Sequence, residues 1–87
     1  MFPDKLDSAK VLYFTEKRDF GQIHYVNGEI ADSIFYLAIC AYETGEYYLF
    51  KCSDTFEVVQ DSVWNSIEEC MYVANSSYGN VTWMEMK

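Results

Sequence analysis

An α+β domain is expected here: an antiparallel meander of about five to six strands, one main helix over residues 66–78 on one face, and a C-terminal strand. Two strand-like runs, Ile34 to Tyr42 and Tyr47 to Cys52, flank Glu43-Thr44-Gly45-Glu46, which reads as an antiparallel hairpin. Ser66-Ile67-Glu68-Glu69 matches a capping box and opens an apolar stripe at helical spacing. Strand-rich sequence, then a helix, then a last strand is the order of an α+β fold.

Each element has its own signal. Lys10-Val11-Leu12-Tyr13-Phe14-Thr15 is a β-branched and aromatic run closed by the charged cluster Glu16-Lys17-Arg18-Asp19, a first strand and turn. Gln22 to Val26 meets Asn27-Gly28, the dipeptide best suited to a type I′ turn, and continues as Glu29 to Asp32, a small hairpin or a loop on the same dipeptide. In the main hairpin, a two-residue Thr44-Gly45 turn or a four-residue loop sets Glu43 opposite Glu46. Leu37, Ile39 and Ala41 then share the core face with Tyr48, Phe50 and Cys52. Tyr36, Ala38, Cys40, Tyr42, Tyr47, Leu49 and Lys51 take the other face, with Tyr42 opposite Tyr47; a three-residue loop would break this register. Phe56 to Val59 is a short strand after the Ser53-Asp54-Thr55 turn. Ile67, Cys70, Met71, Ala74 and Tyr78 form the helix stripe, Gly79-Asn80 ends the helix, and Val81 to Met86 is the closing strand. Residues 1–87 form one domain, in which residues 1–9 carry no element signal and leave room for a flexible start.

Composition narrows the function classes. With 51% hydrophobic and 18% aromatic residues the chain has a core to bury, despite a net charge of −8 and a pI near 4.3. The longest apolar run, Ile34 to Tyr42, has nine residues, too few for a membrane span. Acids among the first seven residues replace the basic start of a signal peptide, so a cytoplasmic location is expected. Cys40, Cys52 and Cys70, an odd number at spacings of 12 and 18, suit reduced buried thiols better than a disulfide framework or metal site. Residues 1–18 sum to +1 and residues 19–87 to −9, a field that disfavours nucleic acid and anionic membranes and permits a basic partner.

Catalytic chemistry finds little footing. His24, a strand residue near a turn, is the only histidine, and no glycine-flanked nucleophile elbow is present. The glycines at 21, 28, 45 and 79 are too dispersed for a phosphate loop, and the carboxylates lack EF-hand spacing. A non-enzyme without cofactor or metal follows. Sixteen aromatics, eight of them tyrosines, exceed what one small core must hold, which points to recognition. Tyr36, Tyr42 and Tyr47 form the expected patch, Glu43, Glu46 and Glu57 its acidic rim, and Trp64 beside Asp61 a second anchor or a core seal.

Gly45-Glu46-Tyr47-Tyr48-Leu49-Phe50, then Asp54-Thr55-Phe56-Glu57-Val58-Val59, then Ser66-Ile67-Glu68-Glu69 and the late Trp83 together resemble small, acidic, cytoplasmic bacterial immunity proteins, which bind and block a toxin domain. The resemblance covers residues 34–86 and carries over no set of toxin-contacting residues. It implies a stoichiometric inhibitor of a basic toxin, such as a nuclease, acting by occlusion. Phage-encoded inhibitors of bacterial defence, including nucleic-acid mimics, share this size and acidity. A homo-oligomeric subunit that buries the tyrosine face against its own copy is the other alternative.

Overall fold

The structure, a computed structural model, describes residues 2–87. In chain order the elements are β1 (Lys5–Leu6), β2 (Ala9–Phe14), β3 (Gln22–His24), β4 (Ile30–Ser33), β5 (Tyr36–Ala41), β6 (Tyr47–Cys52), β7 (Val58–Trp64), α1 (Ile67–Tyr78) and β8 (Met84–Glu85). The main sheet is antiparallel and ordered β1-β2-β5-β6-β7, with β8 beside β1 on the same edge of β2. β3 and β4 form a separate two-stranded hairpin inserted between β2 and β5. The α+β architecture, with one helix and a C-terminal strand, is thus as the sequence indicates. The closing strand is shorter than expected, and the strand expected over Phe56 to Val59 runs on to Trp64.

Central β5 is apolar at Leu37-Ala38-Ile39-Cys40, and all four residues are 0% exposed because both faces of the strand are covered. On one side Leu37, Ile39 and Leu49 pack with Cys70 and Ala74 of α1, together with Phe20 and Ile34. On the other, Ala38, Cys40, Phe50 and Cys52 pack with Phe2, Leu6, Ala9 and Val11. Residues 2–9 therefore contribute substantially to a second core. A two-residue turn at Asp7-Ser8, both at positive φ, folds β1 back on β2 and seats Phe2 against Phe14 at 4.7 Å.

The main hairpin corrects the expected register. Ala41 pairs with Tyr47, Cys40 with Tyr48 and Ala38 with Phe50, one residue away from the predicted pairing. The cause is the loop: the Gly45 amide donates to the Tyr42 carbonyl and Gly45 sits at φ 87°, a turn plus one left-handed residue, so three residues rather than two form the connection. Tyr42 is consequently not opposite Tyr47. Tyr48, Phe50 and Cys52 join Ala38 and Cys40 on the face away from the helix, and Tyr47 and Leu49 join Leu37 and Ile39 beneath it.

Two further loops repeat the device. Gly28 at φ 89° donates to the Tyr25 carbonyl at 2.9 Å, while Val26 and Asn27 keep negative φ, which excludes the expected type I′ turn. Phe56 donates to the Ser53 carbonyl at 3.1 Å and takes φ 65°, holding a left-handed position that glycine fills in the other two loops. Its ring stacks on Tyr36 at 4.7 Å and meets Phe2 edge-on at 5.2 Å, contacts that offset the backbone strain.

The helix begins as its sequence indicates. The Ser66 hydroxyl accepts from the Glu69 amide at 3.0 Å, and the Glu69 carboxylate accepts from the Asn65 amide at 3.1 Å, one residue earlier than in the usual box. The whole expected stripe, Ile67, Cys70, Met71, Ala74 and Tyr78, packs on the sheet. At the other end α1 has no basic residue in its last turn, and Arg18 serves from outside by donating to the carbonyls of Tyr78 and Asn80 at 2.8 Å each. The three cysteines are free and buried; loss of solvent pushes the thiols of Cys40 and Cys52 up to about 12 and that of Cys70 to about 11.

Candidate protein-binding face

The shifted register decides which aromatics can meet a partner. On the face away from the helix, alternation along β6 projects Tyr48 and Phe50, the preceding loop brings Tyr42 alongside, and β7 adds Val63 opposite Tyr48 and Asp61 opposite Phe50. Tyr42 and Tyr48 meet edge-on at 5.3 Å and both stay half-buried, while Val63 is 49% exposed. Phe50 forms the buried floor between them and Asp61.

Carboxylates border this group. The Tyr42 hydroxyl donates to the Asp7 carbonyl at 2.6 Å, which fixes the phenol at the rim. Its pKa is raised by partial desolvation and then by the negative charge of Asp7, with Tyr48, Cys40 and Asp61 adding to it. Two carboxylates thus act on one tyrosine from β7 and from the β1–β2 turn. Glu43, exposed, follows Tyr42 directly.

Of the residues the sequence nominated, Tyr42, Glu43 and Asp61 converge here, with Glu46 exposed in the same loop. Tyr36 is on the same face but stacks on Phe56 under the N-terminal segment, as part of the structural aromatic layer. Glu57 is exposed at the end of the Ser53–Glu57 loop. Tyr47 and Trp64 lie on the opposite face as cross-strand partners packed against the helix-side core, and the Trp64 indole donates to Ser62 at 2.7 Å. They are separated from Tyr42 by the thickness of the sheet. The sequence reading missed Tyr48, Val63 and Asp7; the signal available was Gly45, whose left-handed position adds the residue that flips β6.

The chain exposes a second apolar feature at the tip of the β3–β4 hairpin, where Tyr25, Val26 and Ile30 are 62%, 110% and 56% exposed. Among the described residues no group of three or more His, Cys, Asp and Glu side chains is placed to hold a metal ion, and no helix is long and apolar enough to cross a membrane. Comparison with protein-family models, with curated proteins and with solved structures finds no match to this chain.

Proposed function

We propose that the chain is a stoichiometric protein inhibitor, an immunity protein that binds and blocks a basic toxin domain such as a nuclease, acting in the cytoplasm without catalysis of its own. One observation carries this reading: Tyr42, Tyr48 and Val63 lie side by side next to the buried Phe50, with the carboxylates of Asp7 and Asp61 acting on Tyr42. Interface centres are rich in tyrosine, and an acidic border speeds encounter with a cationic partner while disfavouring wrong ones. The carboxylates pair with the Lys and Arg by which such a toxin holds phosphates, and the tyrosines exclude water around those pairs.

The test is capture of a partner from lysate on the tagged chain, with elution in high salt, followed by titration of the captured protein's activity. One basic protein bound at equal stoichiometry and silenced at one equivalent is the expected result. Glu43→Lys with Glu46→Lys should slow association and flatten its salt dependence with the fold unchanged. Unchanged kinetics would remove the electrostatic part, and recovery of the chain alone would favour a homo-oligomer.

A further inference from the structure

β7 is the last strand of its sheet, and among the described residues no backbone hydrogen bond reaches its outer side. One bond reveals what that side offers. The Phe35 amide donates to the Cys52 carbonyl, so Cys52 turns its backbone toward β5, and alternation turns Lys51, Leu49 and Tyr47 toward β7. Their partners Gln60, Ser62 and Trp64 bond inward, which leaves the N–H and C=O groups of Asp61 and Val63 pointing out of the sheet. The side chains of these two residues are exposed, on the face of Tyr48.

Open edges are commonly guarded by lysine, proline or a covering element, and Val58-Val59-Gln60-Asp61-Ser62-Val63-Trp64 contains neither of those residues. Its guard is the central aspartate. In the fullest two-fold pairing with a second copy, Val59 would meet Val63 and Val58 would meet Trp64, but Asp61 would face Asp61. A strand carrying a cation at that point meets no such repulsion. Exposed Glu57 just before β7 adds to the same preference.

We propose that the β7 edge receives an added strand from a basic protein partner, with Lys or Arg opposite Asp61 and an apolar side chain opposite Val63. This rests on the reading of the tyrosine face as a protein-binding surface and specifies how the partner is held: backbone bonds along β7 supply affinity, and the two side-chain positions set register. The added strand lies next to Val63, with Tyr48 one strand further in, so its side chains on that side continue the same sheet face.

The probes are synthetic strand peptides of alternating Thr and Val, with Lys at the centre, with Glu at the centre, and the Lys form N-methylated on the edge that would face β7. Binding to the full chain is read by NMR and amide hydrogen exchange. The Lys peptide should slow exchange at Asp61 and Val63 by about ten-fold or more and bind roughly ten-fold tighter than the Glu peptide; the methylated form should not bind. Asp61→Lys should reverse the preference between the Lys and Glu peptides. Val63→Pro deletes an outward N–H where an edge strand tolerates proline and should abolish protection, while Val63→Thr retains it. Equal affinity for the Lys and Glu peptides, indifference to N-methylation, protection confined to other strands, no protection at about millimolar peptide, or self-association of the chain through β7 would each overturn the proposal. The methylated peptide leaves the protein unaltered, so the test survives a variant that fails to fold. None of these readouts needs the partner. If a captured partner loses affinity on Tyr48→Ala but binds Val63→Pro as tightly as wild type, the edge proposal fails while the inhibitor reading stands.

Discussion

Arg18→Ala should be among the most damaging single substitutions at an exposed position. Its guanidinium donates to the carbonyls of Tyr78 and Asn80 at 2.8 Å each and lies 4.7 Å from the centre of the Phe20 ring, which itself meets Tyr78 edge-on at 5.3 Å. One side chain thereby joins the segment after β2 to the end of α1, across about 60 residues of sequence. Hydrogen bonds from a charged donor contribute about 1.5–3 kcal/mol each where protected, and exposure puts these two near or below the lower end. An exposed cation–π contact adds about 0.5–1 kcal/mol. The expected loss is about 2–3 kcal/mol, or roughly 10–20 °C in Tm for a domain of this size. Urea and thermal unfolding by circular dichroism measure it. Arg18→Lys, which keeps the charge without the two-pronged donor, should recover only part of the loss. A change in Arg18→Ala below about 0.5 kcal/mol would refute the reasoning, since a surface side chain making no such link costs no more than that.

Phe56 at φ 65° gives an inverted ranking: Phe56→Gly and Phe56→Ala both lose the stacking on Tyr36 and the edge contact with Phe2, but glycine at this position is free of left-handed strain, so Phe56→Gly should be the more stable by about 1 kcal/mol in urea melts. Cys40 and Cys52 hold their protons to about pH 12 when folded, against 9.0 unperturbed, so between those values the folded state binds more protons than the unfolded one. The contribution of these thiols to stability should therefore be full below about pH 9 and fall above it, by up to about 1.4 kcal/mol per pH unit for each thiol; a pH dependence from about pH 9 to 11 that is unchanged in Cys40→Ala and Cys52→Ala would contradict the burial. The same thiols should resist an aromatic disulfide reagent at pH 8 until urea unfolds the chain.

What the sequence made legible was local chemistry. Ser66 and Glu69 mark the helix start by bonds spanning three or four residues, and Cys70, Met71 and Ala74 repeat at helical spacing, so both helix and buried stripe can be read directly. Gly45 marked a turn but not how many residues it spans, and that count fixed the face of every residue in β6. A two-residue turn puts Tyr47 with Tyr42 and Tyr48 in the core; the three-residue loop exchanges them. The N-terminal hairpin has no such signal, because Asp7 and Ser8 hold its turn without a glycine, and Phe2 and Leu6 pack against Ala38, Cys40, Phe50 and Cys52, which are distant in sequence. Arg18 looked like part of a charged turn; its carbonyl acceptors are distant in sequence and come within reach through the tertiary fold.

The most direct test of the tyrosine face compares two adjacent residues that the register sends to opposite sides of the sheet. Tyr48→Ala and Tyr47→Ala are to be titrated against the captured partner, with unfolding curves to correct for stability. Tyr48→Ala is expected to weaken binding by about 2 kcal/mol, roughly 30-fold, mostly through faster dissociation, with Tyr47→Ala close to wild type. Loss of affinity on Tyr47→Ala with Tyr48→Ala unaffected would put the partner on the helix side and contradict the proposed interface.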